Sequence, residues 1–388
     1  MELVGNWNYP TQYRFGAGRI KSLAAYAAEL GITRPLVVTD PGIANLGFLQ
    51  DIEQTLKKYG LFVQVFSNIK ANPTGTNVDA GAQRYISGQH DGVIAIGGGS
   101  ALDAGKAIAL LCGQNRPLWD FIEVGDNWRR VNTEAIPPII AVPTTAGTGS
   151  EVGRASVITD DKTHIKRIIF HPKMMPELVL ADPELTIGLP PGLTAATGMD
   201  ALSHCLEAYC APGYHPMAVG IAVEGMRLIK TWLPRAVADG SNIEARSHML
   251  VASSMGATAF QRGLGAMHAL AHHPLGALYG AHHGTLNAVL MPYVLQANRP
   301  AIEGIICDLT RSLGFKKLGF KAFLDWILTL RATFNIPHTL KEIGIDGQNA
   351  GKIAAMALCD PTAATNPIQH DAATYEDIFT KSINGDLG

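Results

Sequence analysis

The sequence predicts an α/β unit built on a parallel sheet, followed by an all-α unit. Short β-branched runs alternate with helical patterns through the first half. From about Leu189 the texture turns to Ala, Leu, Met and His with few strand signals, and the double proline Pro190–Pro191 marks the change. A chain of 388 residues exceeds one typical core, so two domains are expected, 1–188 and 189–388.

Taken in order, RPLVVTD (34–40), GLFVQVF (60–66), DGVIAIGGG (91–99) and PPIIAVPTTAGTGSE (137–151) contain strand signals, the last running into a polar loop. Between them, IANLGFLQDIEQTLKKYG (43–60) and NVDAGAQRYISGQ (77–89) have helical spacing. Strand, helix, strand in succession implies a parallel sheet with helices on its faces. The stretch 120–133 reads as a solvated polar loop with the basic tip Trp128–Arg129–Arg130. In the second half, GLTAATGMDALSHCLEAY (192–209) reads as an amphipathic helix, and GLGAMHALAHHPLGALYGAHHG (263–284) is dense in histidine.

Hydrophobic residues make up 47% and charged residues 16%, the balance of a well-buried globular protein. A net charge of −2 gives no electrostatic reason to expect nucleic acid. Five scattered cysteines without a CxxC pair argue for a reducing compartment and against a cysteine metal site. The opening MELVGNWNYPTQYRF lacks the basic start and apolar stretch of a signal peptide, and no apolar run reaches membrane-span length. A cytoplasmic protein without a membrane partner is expected.

Four side chains carry the strongest chemical signal. Asp200 and His204 lie four apart, on one face of a helix. His268 and His283 lie downstream in the histidine-dense segment, with His282 a lesser alternative to His283. One carboxylate with three imidazoles suits iron(II) or zinc, and its net positive charge can polarise an oxygen. A chance D-x-x-x-H pair, or a lone histidine in a core, is the bland alternative for either part alone.

The first half supplies a cofactor signal. GGGSALDAGKAIAL (97–110) follows an apolar strand and opens a helix, so its glycines let the backbone approach an anion at a helix N-terminus. Asp103 and Lys106 fall in the first turns, where an i,i+3 salt bridge is the structural alternative. Thr144, Thr145 and Thr148 could bond ribose, phosphate or nicotinamide, or merely cap a turn. Asp40 ends a strand, where an acid can accept from a ribose hydroxyl and repel a 2′-phosphate. It precedes the glycines instead of following them, so the usual fingerprint is absent and a helix cap is its plain reading.

GGGSALDAGK, PTTAGTGSE and the Asp200/His204…His268…His283 spacing together resemble the iron-activated (group III) alcohol dehydrogenases. The likeness runs from YRFGAG (13–18) to the NP segment at Asn366. It implies an N-terminal Rossmann-like domain, a C-terminal helical domain and an active site in the cleft between them. It also implies pyrophosphate contact from Gly97, Gly98, Gly99 and Ser100, with Asp103, Lys106, Thr144, Thr145, Thr148 and Lys166 in the cofactor region. Asp40 matches the acid associated with NAD preference, and Asp200, His204, His268 and His283 match the metal ligands. Where the family reads H-x-x-x-H-P, this chain has His268-Ala-Leu-Ala-His272-His273-Pro274, one residue longer. The second histidine, a candidate proton carrier, is therefore His272 by helical spacing or His273 by its proline, and a small bulge would absorb the extra residue.

The implied reaction is reversible hydride transfer between NAD and a primary alcohol, namely a short alcohol, a diol or an ω-hydroxy acid, with Fe(II) or Zn bound. Arg154 or Arg262 would read a substrate carboxylate if either faces the site; a structurally paired arginine is the alternative for each. A homo-oligomer, dimer or larger, is expected. The rival readings are a lyase of the dehydroquinate synthase type and a catalytically degenerate nucleotide-binding protein.

Overall fold

The computed structural model describes residues 10–163 and 165–388, without the side chain of His273. Among these, the chain forms two compact units. One runs to Thr145 and resumes over Gly149–Ile187; the other takes Ala146–Thr148 and Gly188–Gly388. The loop PTTAGTGSE is thus shared between them.

The first unit holds a six-stranded parallel sheet and a two-stranded antiparallel one. Its strands are β1 (Gln12–Phe15), β2 (Pro35–Val38), β3 (Gln64–Phe66), β4 (Gly92–Gly97), β5 (Ile139–Pro143), β6 (Ala155–Thr159), β7 (Lys166–Phe170) and β8 (Leu178–Ala181). The large sheet runs β1-β8-β5-β4-β2-β3, and β6 pairs with β7. Its helices are α1 (Leu23–Glu29), α2 (Pro41–Ala44), α3 (Gly47–Lys58), α4 (Gly75–Ser87) and α5 (Gly99–Leu111).

Leu36, Val38, Val93 and Ile139 pack on one side of the sheet with Ala104, Ala107 and Ile108 of α5. Val37, Ile94, Ile140 and Leu178 pack on the other with Leu23 of α1 and Leu49, Ile52 and Leu56 of α3. Helices cover both faces, which is why the strands read as continuous apolar runs.

The span 43–60, read as one helix, is two. Asp40 caps α2 with Pro41 at its first turn, and α3 starts again at Gly47. Strands β1, β6, β7 and β8 went unread. β1 is a four-residue strand with exposed ends and β6 alternates buried with half-buried positions, so neither carries an apolar run.

The second unit contributes α6 (Pro191–Cys210), α7 (Pro216–Ala238), α8 (Ile243–Ala259), α9 (Ala266–Leu270), α10 (His283–Ser312), α11 (Phe320–Thr333), α12 (Ala350–Leu358) and α13 (Ala372–Asn384). Pro191 sits in the first turn of α6, where its missing N–H costs nothing. Between α9 and α10, Ala271–Ala277 forms a π-helix containing Pro274. Such wide turns accommodate an inserted residue, and this one falls where the sequence is one residue longer than expected. Among the described residues no helix is long and apolar enough to cross a membrane.

Candidate active site

Helix α6 carries Asp200 and His204 on one face, α9 carries His268, and His283 opens α10. One donor atom from each of the four lies within 4.8 Å of the others. Gly284 permits the approach of α10 to α6: a Cβ there would stand 2.4 Å from the Ala196 carbonyl oxygen and 3.2 Å from Asp200 Cβ. The His204 and His268 rings stack at 4.7 Å, and His283 lies 5.3 Å from His268.

Asp200, His204 and His268 are buried. Burial penalises the cationic form, holding His204 down to about 4 and His268 well below the usual imidazole range. Both are therefore neutral bases with lone pairs to offer at neutral pH. His204 Nδ1 is buried with no hydrogen-bond partner.

Asn287, one turn after His283, places its amide Nδ2 at the focus: 2.8 Å from Asp200 Oδ1, 3.2 Å from His268 Nε2 and 3.1 Å from His283 Nε2. Three acceptors converging on one positively polarised group is the electrostatics a divalent cation requires. The donor set fits iron(II) or zinc.

Sequence reasoning missed Asn287 and also Glu207, which accepts from Met267 N and contacts His268 Nδ1. Both were within reach of spacing arguments: Glu207 follows His204 by three and Asn287 follows His283 by four, so each shares a helical face with a candidate ligand.

The other histidines divide. The His272 ring stacks on His283 at 5.1 Å and meets His268 edge-on at 5.3 Å, with Nδ1 3.7 Å from Asp360 Oδ2. The His273 side chain lies outside the described residues. His282 caps α10 by accepting from Thr285 N at 3.4 Å, a structural role that accounts for its place beside His283.

In the sheet unit, the chain passes from β2 outward to β3, then crosses back so that β4 flanks β2 on its other side. Ligands of parallel sheets bind beyond the strand C-termini at such a reversal. Asp40 follows β2, and Gly97 ends β4 with Gly98 and Gly99 after it, on that same edge. Gly97 has φ +149°, and a Cβ there would meet Ala101 Cβ at 2.6 Å and Asp40 Oδ2 at 3.3 Å. Only glycine fits. A Cβ on Gly98 would lie 3.2 Å from Thr145 Cγ2. Helix α5 starts with no side-chain cap, which leaves its first N–H groups for an anion.

Asp40 Oδ1 accepts from Ile43 N at 3.0 Å, so this acid is indeed a helix cap, with its second oxygen beside the turn. The buried Thr144 donates its N–H to Gly97 O at 3.0 Å. Thr148 belongs to the helical unit. The Ser100 hydroxyl donates to Ala71 O.

Asp103 and Lys106 form their i,i+3 ion pair at 3.2 Å. The buried ammonium also donates to Ser150 O (3.0 Å) and Ala155 O (2.5 Å), while Asp103 accepts from the Ser150 hydroxyl and Val157 N. Their contacts are thus with the protein itself, tying α5 to the start of β6. Lys166 on β7 is buried, and desolvation, partly opposed by Asp103, lowers it to about 8.

The arginines make contacts within the protein. Arg262 donates to the carbonyls of Ala208 (3.1 Å), Tyr209 (2.6 Å) and Gly213 (3.1 Å), so it caps the end of α6 and has no fork left for a carboxylate. Arg154 stacks over Phe170 at 5.6 Å and offsets part of the rise that burial imposes on the Glu123 carboxyl.

Comparison with known proteins gives one family throughout. Residues 10–183 match the family described as iron-containing alcohol dehydrogenase, and residues 194–383 match the C-terminal domain of the Fe-containing alcohol dehydrogenase family. The 4-hydroxybutyrate dehydrogenase of Cupriavidus necator is 39% identical over 385 residues, covering 97% of this chain and 99% of that enzyme. A crystal structure of a 1,3-propanediol oxidoreductase matches with a TM-score of 0.92 at 34% identity, covering 98% of this chain and all of that one. That of the sulfoacetaldehyde reductase from Bifidobacterium kashiwanohense in complex with NAD+ matches at 0.89 and 30% identity, covering 98% and 99% of the two chains.

Proposed function

The chain belongs to the iron-containing alcohol dehydrogenase family, and from that premise we propose that Asp200, His204, His268 and His283 hold its catalytic metal. The protein is an NAD-dependent oxidoreductase that moves a hydride reversibly between an alcohol and NAD. The observation that carries the residue assignment is the convergence of four donor atoms from three helices within 4.8 Å. When bound, a divalent iron or zinc supplies Lewis acidity toward the alcohol oxygen, and NAD supplies the hydride acceptor.

The chain's own residues then divide the work. Gly97, Gly98, Gly99 and Ser100 offer the pyrophosphate the open start of α5. Asp40 accepts from the adenosine ribose and disfavours a 2′-phosphate, which selects NAD over NADP. Thr144, Thr145, Thr148 and Lys166 line the remainder of the dinucleotide, while Asp103 and Lys106 hold the loop that supports it. His272, packed on two of the ligand rings with Nδ1 toward Asp360, takes the alcohol proton at Nε2. The assignment to His272 rests on the packing of its ring against His268 and His283.

The substrate is a short primary alcohol, a diol or an ω-hydroxy acid; the 39% identity to a 4-hydroxybutyrate dehydrogenase favours the ω-hydroxy acid. The enzyme is placed in the cytoplasm as a homo-oligomer, which size-exclusion chromatography with light scattering tests. A panel of alcohols, diols and ω-hydroxy acids assayed with NAD and added Fe(II) tests the activity. NADH production should appear, be lost on chelation and return with metal. Full turnover in chelator-stripped protein would sink the metal assignment.

A further inference from the structure

Glu207 lies three residues after His204 and seven after Asp200, so α6 presents all three on one face. It is 5% exposed. Its two oxygens do different things. Oε2 stands 2.5 Å from His268 Nδ1, and Oε1 accepts from Met267 N at 2.8 Å. Asn366 Oδ1 accepts from the preceding Ala266 N at 3.0 Å, while the Asn366 amide donates to Asn298 Oδ1 and Ile368 O. The opening N–H groups of α9, which lack helical partners, are therefore held by side chains from α6 and from the segment before α13.

The far side of the His268 ring faces Asn287. Its amide nitrogen carries two hydrogens and cannot accept, so His268 Nε2, 3.2 Å away, faces it with a lone pair and not with a hydrogen. The amide cannot be turned over, because its oxygen would then oppose Asp200 Oδ1, now 2.8 Å from Nδ2. A carboxylate can only accept, so Glu207 requires a proton on Nδ1. Both ends of the ring impose one tautomer: hydrogen on Nδ1, lone pair on Nε2.

Resting on the four-ligand reading above, we infer that Glu207 is a positioning residue that sets the tautomer and orientation of His268 and thereby the affinity for the metal. Partners of this kind fix the ring and raise its basicity as a ligand. Glu207 itself touches neither substrate nor cofactor in this role.

The test uses the full chain labelled with 15N-histidine and stripped of metal. At pH 8 the ring-nitrogen shifts report which nitrogen carries the proton, and the signal lost in His268→Ala identifies the residue. The unmodified protein should show His268 protonated at Nδ1. Glu207→Gln is nearly isosteric and keeps an oxygen for Met267 N–H, but turns an NH2 toward Nδ1 while Asn287 still holds an NH2 toward Nε2; the single Nδ1–H tautomer should give way to a mixture of the two. Zn(II) affinity, measured by competition with a chromophoric chelator, should fall by roughly ten- to a hundredfold in that variant.

An Nε2–H tautomer in the unmodified protein overturns the inference whether or not the variant folds. An unchanged tautomer or unchanged Zn(II) affinity in Glu207→Gln also overturns it. Absence of saturable Zn(II) binding by the unmodified chain would instead refute the four-ligand site. Binding lost in His268→Ala but retained in Glu207→Gln would leave that site standing and remove only the role of Glu207.

Discussion

Two helix faces in this protein carry an acid and a base one turn apart: Asp103 with Lys106 on α5, and Asp200 with His204 on α6. In sequence they look alike. In the structure the first pair is closed, with a 3.2 Å contact between its members and the remaining bonding capacity spent on Ser150, Ala155 and Val157. The second pair is open. Asp200 and His204 point not at each other alone but at two imidazoles from other helices, and His204 keeps an unpaired buried nitrogen. A charged pair with every partner supplied by the protein stabilises a loop; one whose lone pairs converge without a cation among them is built for a ligand. What separates them is the identity of the opposing side chains.

The largest effect that would sharpen this contrast is loss of a ligand. Asp200→Ala or His268→Ala should abolish turnover and reduce metal affinity by well over the ~100-fold that outer partners command, with the fold retained by circular dichroism. Elemental analysis finding one equivalent still tightly bound in both would break it.

On the closed pair the expectation reverses. Lys106→Met leaves Asp103 without its buried counter-ion and should destabilise the protein by about 3 kcal/mol, read as a lower urea midpoint, while metal content stays unchanged. A variant with unaltered stability but a much raised KM for NAD would show that Lys106 serves the cofactor directly.

Acid should discriminate the regions next. His204 is held down to about 4 by burial, whereas it binds a proton near 6.5 once unfolded. The unfolded chain therefore binds more protons between those values, so this contribution is present above pH 6.5 and lost as the pH falls toward 4. His268 is lowered and its partner Glu207 raised, both by burial, so their contributions run in opposite senses and offset. Metal-free protein should lose up to about 1.4 kcal/mol per pH unit below 6.5. A His204→Asn variant whose urea midpoints retain the full slope over this window would count against that origin.

The smallest effect concerns Asp40, which is both cap and candidate ribose partner. Asp40→Asn keeps a good helix cap and removes the charge, so NADP use should improve on the order of tenfold by kcat/KM with little change in stability. Unimproved NADP kinetics would leave Asp40 as a cap alone.

The candidate metal site was largely legible because helical periodicity brings Asp200 and His204 together without help from the rest of the chain, and because histidine is rare enough for a cluster to stand out. The central strands were legible for a related reason: β2, β4 and β5 are buried on both faces and so appear as unbroken apolar runs. The edge strand β1 and the β6–β7 hairpin were not, since half-exposed strands of four or five residues lack that signature; β8 is buried throughout, but its four apolar residues stand between Pro176–Glu177 and Asp182–Pro183 and were not read either. The additional residue between His268 and His283 announced a distortion, but its form as a π-helix over Ala271–Ala277 did not follow from spacing.

By itself, then, the sequence determined the alternation of β2 to β5 with helices, the glycine turn that opens α5 and the side chains able to ligate a metal, because each depends on neighbours within about one helical turn or one strand. Only the tertiary structure decided which polar groups were already satisfied. Arg262 found the last carbonyls of α6 some fifty residues away in sequence, Lys106 found Ser150 and Ala155, and Glu207 found His268. A buried hydrogen bond is specified by where two distant backbones come to rest, and local periodicity holds no information about that distance.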